Sequence, residues 1–282
     1  MKTILVPTDF SEQARNATKL AAEIAKRGNA KMLLVNVIEG ARNFSFNTMG
    51  EGAEPVGEEA FYINKLIEVQ KQHLKDSAAD ELLKGLTVET ILEMGNPYQG
   101  ISNVIAEHKA DLLIMGTQGS SGLDEILIGS NTEKVVRYAK CPVITVKDEV
   151  SLSDIQNIVY ATDLTTDQSK FISHIKSIQA LTGAKLHLLK VNTPNHFYTQ
   201  RQMKDKFKKF IDQHGLEEVT VNIYNEATEE DGILYFAEDL GSCMIAIATH
   251  GRTGLLHLLT GSIAEDLVNH ATIPVMTLSM KK

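Results

Sequence analysis

The apolar stretch Ile4-Leu-Val-Pro-Thr-Asp9 decides the fold, because the chain contains it in two versions. The second version is Ile158-Val-Tyr-Ala-Thr-Asp163, which begins 154 residues further on. Each version is a short apolar run that ends in Thr-Asp, which is typical of a buried strand followed by a turn. A repeat of this length predicts that a whole domain has been duplicated.

Other segments repeat in the same order, and the offset between the copies changes once. The offset of 154 residues holds for the next strand-like run, where Lys31–Val37 matches Lys185–Val191. It falls to 132 residues in the later matches, which pair Gly129-Ser130 with Gly261-Ser262 and Cys-Pro142-Val-Ile with Ile-Pro274-Val-Met. The second copy therefore lacks 22 residues, and the first copy carries a Gly-, Asn- and Ser-rich stretch, residues 40–57, in the corresponding region. This composition predicts a loop.

Length and composition indicate two globular domains. A chain of 282 residues with 43% apolar and 23% charged residues suits two domains of about 140 residues each, and we expect them at residues 1–148 and 153–282. No apolar run approaches the roughly 18 residues that cross a bilayer, and the N-terminal apolar run is too short for a secretion signal. The net charge of −8 opposes binding to nucleic acid or to acidic membranes.

The two cysteines, Cys141 and Cys243, stand at the start of apolar runs and not at the spacing of metal ligands. This arrangement predicts buried thiols in a reducing compartment, so a cytoplasmic protein without a metal site is expected.

Strand-like runs alternate with segments of helical periodicity in both copies. In the first copy we predict helices over residues 11–27, 61–83, 97–108 and 132–139, and later strands near residues 88–93, 112–115 and 143–146. Ser11 is expected to cap the first helix and Gly28 to stop it. Strands that are apolar throughout belong to parallel sheets covered on both faces, so an α/β fold with a doubly wound sheet follows. Ligands of such folds bind at the carboxyl ends of the strands.

A glycine-rich loop, Gly116-Thr-Gln-Gly119 to Gly129-Ser130-Asn131, lies between the fourth strand and the next helix. Glycines allow positive φ angles and the close approach of a phosphate, and a helix that begins at Ser130 would point free N–H groups at the same place. The loop therefore indicates a phosphate site, although a plain strand-to-helix turn fits these residues equally well.

The spacing Gly-x2-Gly-x9-Gly-Ser, preceded by a strand that ends in Pro-Thr-Asp9, resembles the ATP-binding branch of the universal stress protein family. The resemblance covers nearly the whole chain, twice over. It implies a five-stranded, Rossmann-like parallel sheet in each half, of the adenine nucleotide alpha hydrolase-like type, with the halves related by a pseudo-twofold axis. Family members usually dimerise, so the resemblance implies a pairing within the chain through residues 143–146 and 275–278, and leaves a homodimer of such chains open.

The resemblance also implies a ligand, ATP or AMP with or without Mg²⁺, and its binding residues. The base and ribose would lie near Pro7, Thr8, Asp9 and Val37, with Met115 and Gly116 at the border of the nucleotide and Gly119, Gly129, Ser130 and Asn131 at the phosphates. Asp9 has an alternative role as a cap of the first helix.

The second copy departs from the family spacing at one glycine, since Ala248 stands where the first copy has Gly116. Arg252 offers a phosphate a cation that the first loop lacks. We expect the first site to be the better one, and a weaker site at Asp163, Gly251, Arg252, Gly261 and Ser262.

Three functions fit this sequence: a sensor that binds adenine nucleotide, a slow ATP hydrolase, and a nucleotide-free scaffold for protein partners. The sensor is favoured and no catalytic residue is assigned, because Asp124 and Glu125 are expected to face solvent. Gly95-Asn-Pro-Tyr-Gln-Gly100 is not a Walker motif, since Ile101 replaces the required lysine. The lysines of residues 204–209 are interpreted as a solvated helix face.

Overall fold

Ten strands form one sheet in the computed structural model, which describes residues 1–39, 58–117, 128–164, 168–249 and 263–280. The strand order is β3-β2-β1-β4-β5-β10-β9-β6-β7-β8. Neighbouring strands run parallel, except that β5 and β10 are antiparallel. The strands are β1 Thr3–Pro7, β2 Lys31–Ile38, β3 Val88–Met94, β4 Leu112–Gly116, β5 Val143–Val146, β6 Asn157–Ala161, β7 Lys185–Asn192, β8 Val219–Asn225, β9 Cys243–Thr249 and β10 Val275–Ser279.

Helices follow most strands and cover both faces of the sheet. They are α1 Glu12–Gly28, α2 Glu58–Ala78, α3 Pro97–His108, α4 Ser130–Tyr138, α5 Ser169–Thr182, α6 Gln200–His214, α7 Glu229–Leu240 and α8 Ile263–His270. The buried side chains of α1, α2, α5 and α6 form one core with the sheet, and those of α3, α4, α7 and α8 form a second core on the opposite face. The predicted α/β class, with two doubly wound halves of five strands each, is confirmed.

The structure also locates the ends of the predicted helices. Helix α3 has the predicted bounds, with Pro97 in its first turn and the Asn96 side chain accepting a hydrogen bond from the Gln99 N–H. Ser11 caps α1 as predicted, but Gly28 is still helical and Asn29, with φ 48°, is the C-cap. The helix predicted over residues 61–83 corresponds to α2, but its predicted end is wrong, because α2 ends at Ala78 and Asp80 caps a separate 3-10 turn, Glu81–Leu83. The predicted loop over residues 40–57 lies outside the described residues.

The two halves join edge to edge through β5 and β10, as the resemblance implied. Thr145 pairs with Val275 and Val143 with Thr277. The Thr145 hydroxyl adds a 3.2 Å hydrogen bond to the Val275 carbonyl. Each strand would be an exposed edge in a separated half, so their pairing removes two unpaired edges.

Both cysteines are buried free thiols, as predicted. Burial raises the pKa of Cys141 to about 12 and the pKa of Cys243 to about 11. Among the described helices, none is long and apolar enough to cross a membrane.

Candidate nucleotide site

The predicted site of the first half lies where the strand order reverses. In the order β3-β2-β1-β4-β5, the chain passes from β1 to β2 on one side and reaches β4 on the other side of β1. The Thr8 N–H bonds the Val35 carbonyl at 2.8 Å, and the Thr117 N–H bonds the Val146 carbonyl at 3.1 Å. These bonds continue the strand pairing beyond β1 and β4. Pro7, Val37 and Met115 therefore all lie at the carboxyl ends of neighbouring strands, on the same side of the sheet. This is the position where doubly wound folds bind ligands.

The turn between β1 and α1 is held by its own side chains. The Thr8 hydroxyl accepts a hydrogen bond from the Phe10 N–H at 3.0 Å, and Asp9 Oδ1 accepts one from the Ser11 N–H at 3.1 Å. Phe10 has φ 66°, a left-handed conformation that these two bonds support. The N-cap of α1 is Ser11, whose hydroxyl accepts the Ala14 N–H, so Asp9 is not the cap. The Asp9 side chain is exposed at the carboxyl end of β1.

Gly116 is required for packing. A Cβ at this position would come within 2.8 Å of Gln13 Cβ and 2.9 Å of the Gln13 carbonyl carbon, so the first turn of α1 leaves no room for a side chain. Gly129, with φ −60°, also lacks the positive φ that was one predicted reason for glycine. Among the described residues, the nearest atoms to a Cβ at Gly129 would be the Thr117 carbonyl oxygen and Thr132 Oγ1, both at 3.9 Å, which is an ordinary van der Waals contact.

Helix α4 begins without a side-chain cap. Gly129 is its N-cap, and the Gly129 N–H bonds the Thr117 carbonyl at 3.0 Å, so this amide is not available to a phosphate. The first intrahelical bond runs from the Glu133 N–H to the Gly129 carbonyl. The N–H groups of Ser130 and Asn131 belong to the first turn, which has no intrahelical acceptor for them. Together with the helix dipole they favour an anion. Gly119, the other predicted phosphate residue, lies outside the described residues.

The sequence analysis missed two buried polar side chains that lie at the carboxyl ends of β4 and β2. Thr117 is 4% exposed and its hydroxyl oxygen has no hydrogen-bond partner among the described residues. Asn36 is 7% exposed; its amide nitrogen donates to the Thr8 carbonyl at 2.8 Å, while its Oδ1 has no partner within the same described ranges. A polar residue at the end of an apolar run, as in Leu-Val-Asn36-Val, was the available signal. An unsatisfied buried polar group costs about 1–3 kcal/mol, which a bound ligand can offset.

The turn between β6 and α5 repeats the geometry of the first half. The Thr162 N–H bonds the Leu189 carbonyl at 3.1 Å, and the Thr162 hydroxyl accepts the Leu164 N–H at 3.1 Å. Leu164 has φ 61° and is the counterpart of Phe10. Asp163 is exposed, as Asp9 is. The duplicated Thr-Asp sequence therefore folds in the same way twice.

Beyond this turn the second half differs. The Gln168 side chain, on a residue 2% exposed, accepts hydrogen bonds from the Tyr160 and Thr162 hydroxyls. Helix α5 begins at Ser169, the counterpart of Arg15, three residues later than α1 begins. The counterpart of Gln13, which crowds Gly116 in the first half, is Asp167, and it lies outside the described residues. The predicted second-site residues Gly251, Arg252, Gly261 and Ser262 lie outside the described residues.

Lys190 is a second-half residue that the sequence analysis also missed. It is the counterpart of Asn36, it is 9% exposed, and its side chain forms no hydrogen bond or ion pair with another described residue. The two halves therefore differ in charge at corresponding buried positions.

Two doubly wound halves, joined through one sheet and each with a Thr-Asp turn at its switch point, define a tandem pair of Rossmann-like α/β domains. The profile of the Universal stress protein family matches this chain twice, over residues 1–147 and 154–279. The chain therefore belongs to the universal stress protein family and carries two of its domains in tandem.

Known relatives agree with this assignment. A putative universal stress protein of Staphylococcus aureus strain USA300 is 32% identical over 164 residues, which cover 58% of this chain and 94% of the relative. The crystal structure of a universal stress protein from Archaeoglobus fulgidus superposes with a TM-score of 0.77, at 21% identity, over 99% of this chain and 98% of the other. A putative universal stress protein from Pseudomonas aeruginosa UCBPP-PA14 gives a TM-score of 0.65, at 20% identity, over 99% and 93% of the two chains. At these low sequence identities, the similarity to the two structures establishes only that this chain has the same fold.

Proposed function

We propose that the first half binds an adenine nucleotide, ATP or AMP with or without Mg²⁺, and that the protein acts as a nucleotide sensor in the cytoplasm. The observations that carry this proposal are the start of α4, which has no side-chain cap, and the buried hydroxyl of Thr117, which has no hydrogen-bond partner among the described residues. Thr117 contacts the start of α4 through its backbone, since the Thr117 carbonyl accepts the Gly129 N–H. A helix N-terminus beside an unsatisfied hydroxyl suits a phosphate, which accepts hydrogen bonds from both.

The base and ribose would lie at the ends of β1 and β2. Asp9 is exposed there and can accept hydrogen bonds from an amino or hydroxyl group. Val37 is half-buried at the end of β2, and its backbone is the second group that the family resemblance assigns to the base. Met115 would supply an apolar contact from β4.

Binding is favoured over hydrolysis by the chemistry of the described groups at the phosphate end. They are backbone N–H groups of Ser130 and Asn131 and the hydroxyl of Thr117, all of which donate hydrogen bonds without taking up a proton. A hydroxyl needs an adjacent base to become a nucleophile. Asp124 and Glu125 lie outside the described residues.

We also propose the domain limits 1–148 and 153–282, with a short connection between them. This connection is tied back to the first half, because the Glu23 carboxylate accepts hydrogen bonds from the Leu152 N–H at 2.7 Å and the Ser151 hydroxyl at 2.9 Å. Buried free thiols are in keeping with a reducing compartment.

The test is isothermal titration calorimetry with ATP and AMP, with and without Mg²⁺, together with native mass spectrometry of the purified protein. We expect nucleotide binding to the parent chain and its loss in Gly129→Val, whose side chain would stand beside the start of α4, and we expect the fold to persist because no described atom comes closer than 3.9 Å to the added Cβ. The matched control is Gly261→Val at the corresponding position of the second half. An empty protein that gives no heat with millimolar ATP would overturn the proposal, as would binding that survives Gly129→Val and is lost in Gly261→Val.

Hydrolysis is tested separately by timed product analysis of ATP with Mg²⁺. A binder leaves ATP unchanged over hours. Steady production of ADP or AMP that disappears in Gly129→Val would assign the hydrolase function instead.

A further inference from the structure

The end of the first glycine-rich loop is held by the second half of the chain. The N–H of Ile128, the residue directly before Gly129, donates a 2.8 Å hydrogen bond to Asn269 Oδ1 on α8. We propose that Asn269 is a positioning residue for the nucleotide site of the first half, so that this site is complete only when α8 of the second half is in place. This inference rests on the proposed function.

Two successive N–H groups fix the point where α4 begins. The Ile128 N–H bonds the second half through Asn269, and the Gly129 N–H bonds the first half through the Thr117 carbonyl. The Ile128 side chain packs against the core that α3, α4, α7 and α8 share. The direction in which the Ser130 and Asn131 N–H groups point is set by the residues directly before them. Asn269 thus controls the donors that would hold a phosphate, without touching the ligand itself.

Asn269 is itself held in position by a second contact between α8 and α4. Glu265, one turn earlier on α8 and 6% exposed, accepts two hydrogen bonds from Arg137 of α4, Nε to Oε1 at 2.6 Å and Nη2 to Oε2 at 2.8 Å. Such a bidentate pair restricts both distance and orientation. Helix α4 is therefore fixed to α8 at both ends, near Tyr138 by this pair and before Ser130 by Asn269.

The duplicated residues show that this arrangement is one-sided. The position that carries Asn269 in the second half carries Arg137 in the first half, and the position of Ile128 is occupied by Thr260. Asparagine offers an acceptor to a backbone N–H, and arginine has none. The first half therefore cannot return the same hydrogen bond to the second half. The two halves have diverged so that α8 supports the loop of the other half.

The test compares Asn269→Ala, which removes the acceptor, with Asn269→Asp, which keeps one, and with His270→Ala as a control. His270 is exposed on the same helix, and its ring contacts the Asp266 carbonyl of that helix. Hydrogen exchange of the nucleotide-free protein reports the Ile128 amide directly. We expect about fivefold faster exchange in Asn269→Ala, and parent-like exchange in Asn269→Asp and His270→Ala, since one net hydrogen bond is lost only in the first variant.

Calorimetry with ATP supplies the second readout. We expect Kd to rise about fivefold in Asn269→Ala, with Tm close to that of the parent chain, and to stay unchanged in His270→Ala. If Asn269→Ala lowers Tm strongly, the comparison is made with Asn269→Ser. A parent chain that binds ATP while Asn269→Ala binds equally well overturns this inference alone. A parent chain that binds no nucleotide overturns the proposed function as well.

Discussion

Gly232 of α7 lies so close to Val191 of β7 that a Cβ on the glycine would come within 2.5 Å of Val191 Cγ1. The first half repeats the relationship, with Gly100 of α3 against Val37 of β2, at 3.2 Å. In each half this close approach brings a helix onto the carboxyl end of the second strand of that half. The duplication has thus preserved a steric contact as well as the order of the strands.

Gly232→Ala should destabilise the protein by about 1–3 kcal/mol, because Val191 is a buried, β-branched strand residue that cannot move aside. The sign is informative, since alanine in place of a helical glycine ordinarily stabilises by about 1 kcal/mol. Gly100→Ala is the milder counterpart, with its closest contacts at 3.2–3.3 Å. Chemical denaturation measures both free energies of unfolding. Equal stability of Gly232→Ala and the parent chain would contradict the packing described above.

Gly116→Ala should lower the stability of the protein and Gly129→Ala should leave it unchanged, although both glycines belong to one motif. The alanine at 116 would meet the backbone of Gln13 at 2.9 Å, so we expect a loss of about 1–3 kcal/mol of stability. The alanine at 129 would make only ordinary van der Waals contacts, at 3.9 Å, with the described residues and has an ordinary φ, so the free energy of unfolding should stay close to that of the parent chain. Urea unfolding curves of the two variants make the comparison. A stable Gly116→Ala would show that α1 can shift away from β4.

Thr117→Val should separate binding from stability. Valine keeps the shape and removes a hydroxyl that has no partner among the described residues, so the free energy of unfolding should be unchanged or higher. If the hydroxyl donates to a phosphate, the Kd for ATP should rise about tenfold. The control is Thr249→Val in the second half, where the hydroxyl already bonds the Leu278 carbonyl at 3.4 Å. This change should leave ATP affinity of the first site as it is, and equal affinity in all three proteins would exclude Thr117 as a ligand group.

Arg137→Met should cost about 1–3 kcal/mol of stability, because it removes the bidentate guanidinium contact from the nearly buried Glu265 carboxylate. Adding Glu265→Gln in the same chain should recover part of this loss, since the buried negative charge is then removed. A double-mutant cycle from denaturation curves measures the coupling. Additive effects of the two substitutions would mean that the pair contributes nothing to the contact between α4 and α8.

The thiols should make the protein less stable in alkaline solution. Burial raises the pKa of Cys141 to about 12 and of Cys243 to about 11, while both titrate near 9 when exposed. The folded state therefore holds these protons more tightly than the unfolded state, so stability is full below pH 9 and falls as the pH rises from 9 towards 12. Denaturation midpoints measured across this range, with Cys141→Ala and Cys243→Ala for comparison, check the effect. A flat profile in the parent chain would rule it out.

Most of the fold, but only part of the candidate site, could be predicted from the sequence. Runs such as Ile4–Asp9 and their copies predicted the strands and the duplication, because strand burial and repetition are local properties of the chain, whereas the pairing of β5 with β10 was implied by the family resemblance alone. The functions of Gly116 and Asn269 could not be predicted in the same way. Gly116 meets Gln13 of α1, and Asn269 bonds Ile128 across 141 positions of sequence. Contacts of this kind exist only after the helices have packed, so the local pattern contains no sign of them.

Two copies of one domain lie on a single chain, and they pair through the antiparallel strands β5 and β10. In a dimer of separate subunits every substitution appears twice, at both symmetry-related positions. A single chain with two domains does not have this constraint. The second half can therefore carry Asn269, which contacts the first glycine-rich loop, while the corresponding position of the first half carries Arg137. The covalent link also keeps the two domains together at any protein concentration, because their association is intramolecular. A chain with two covalently linked domains can therefore carry at one position of one domain a residue that the other domain lacks.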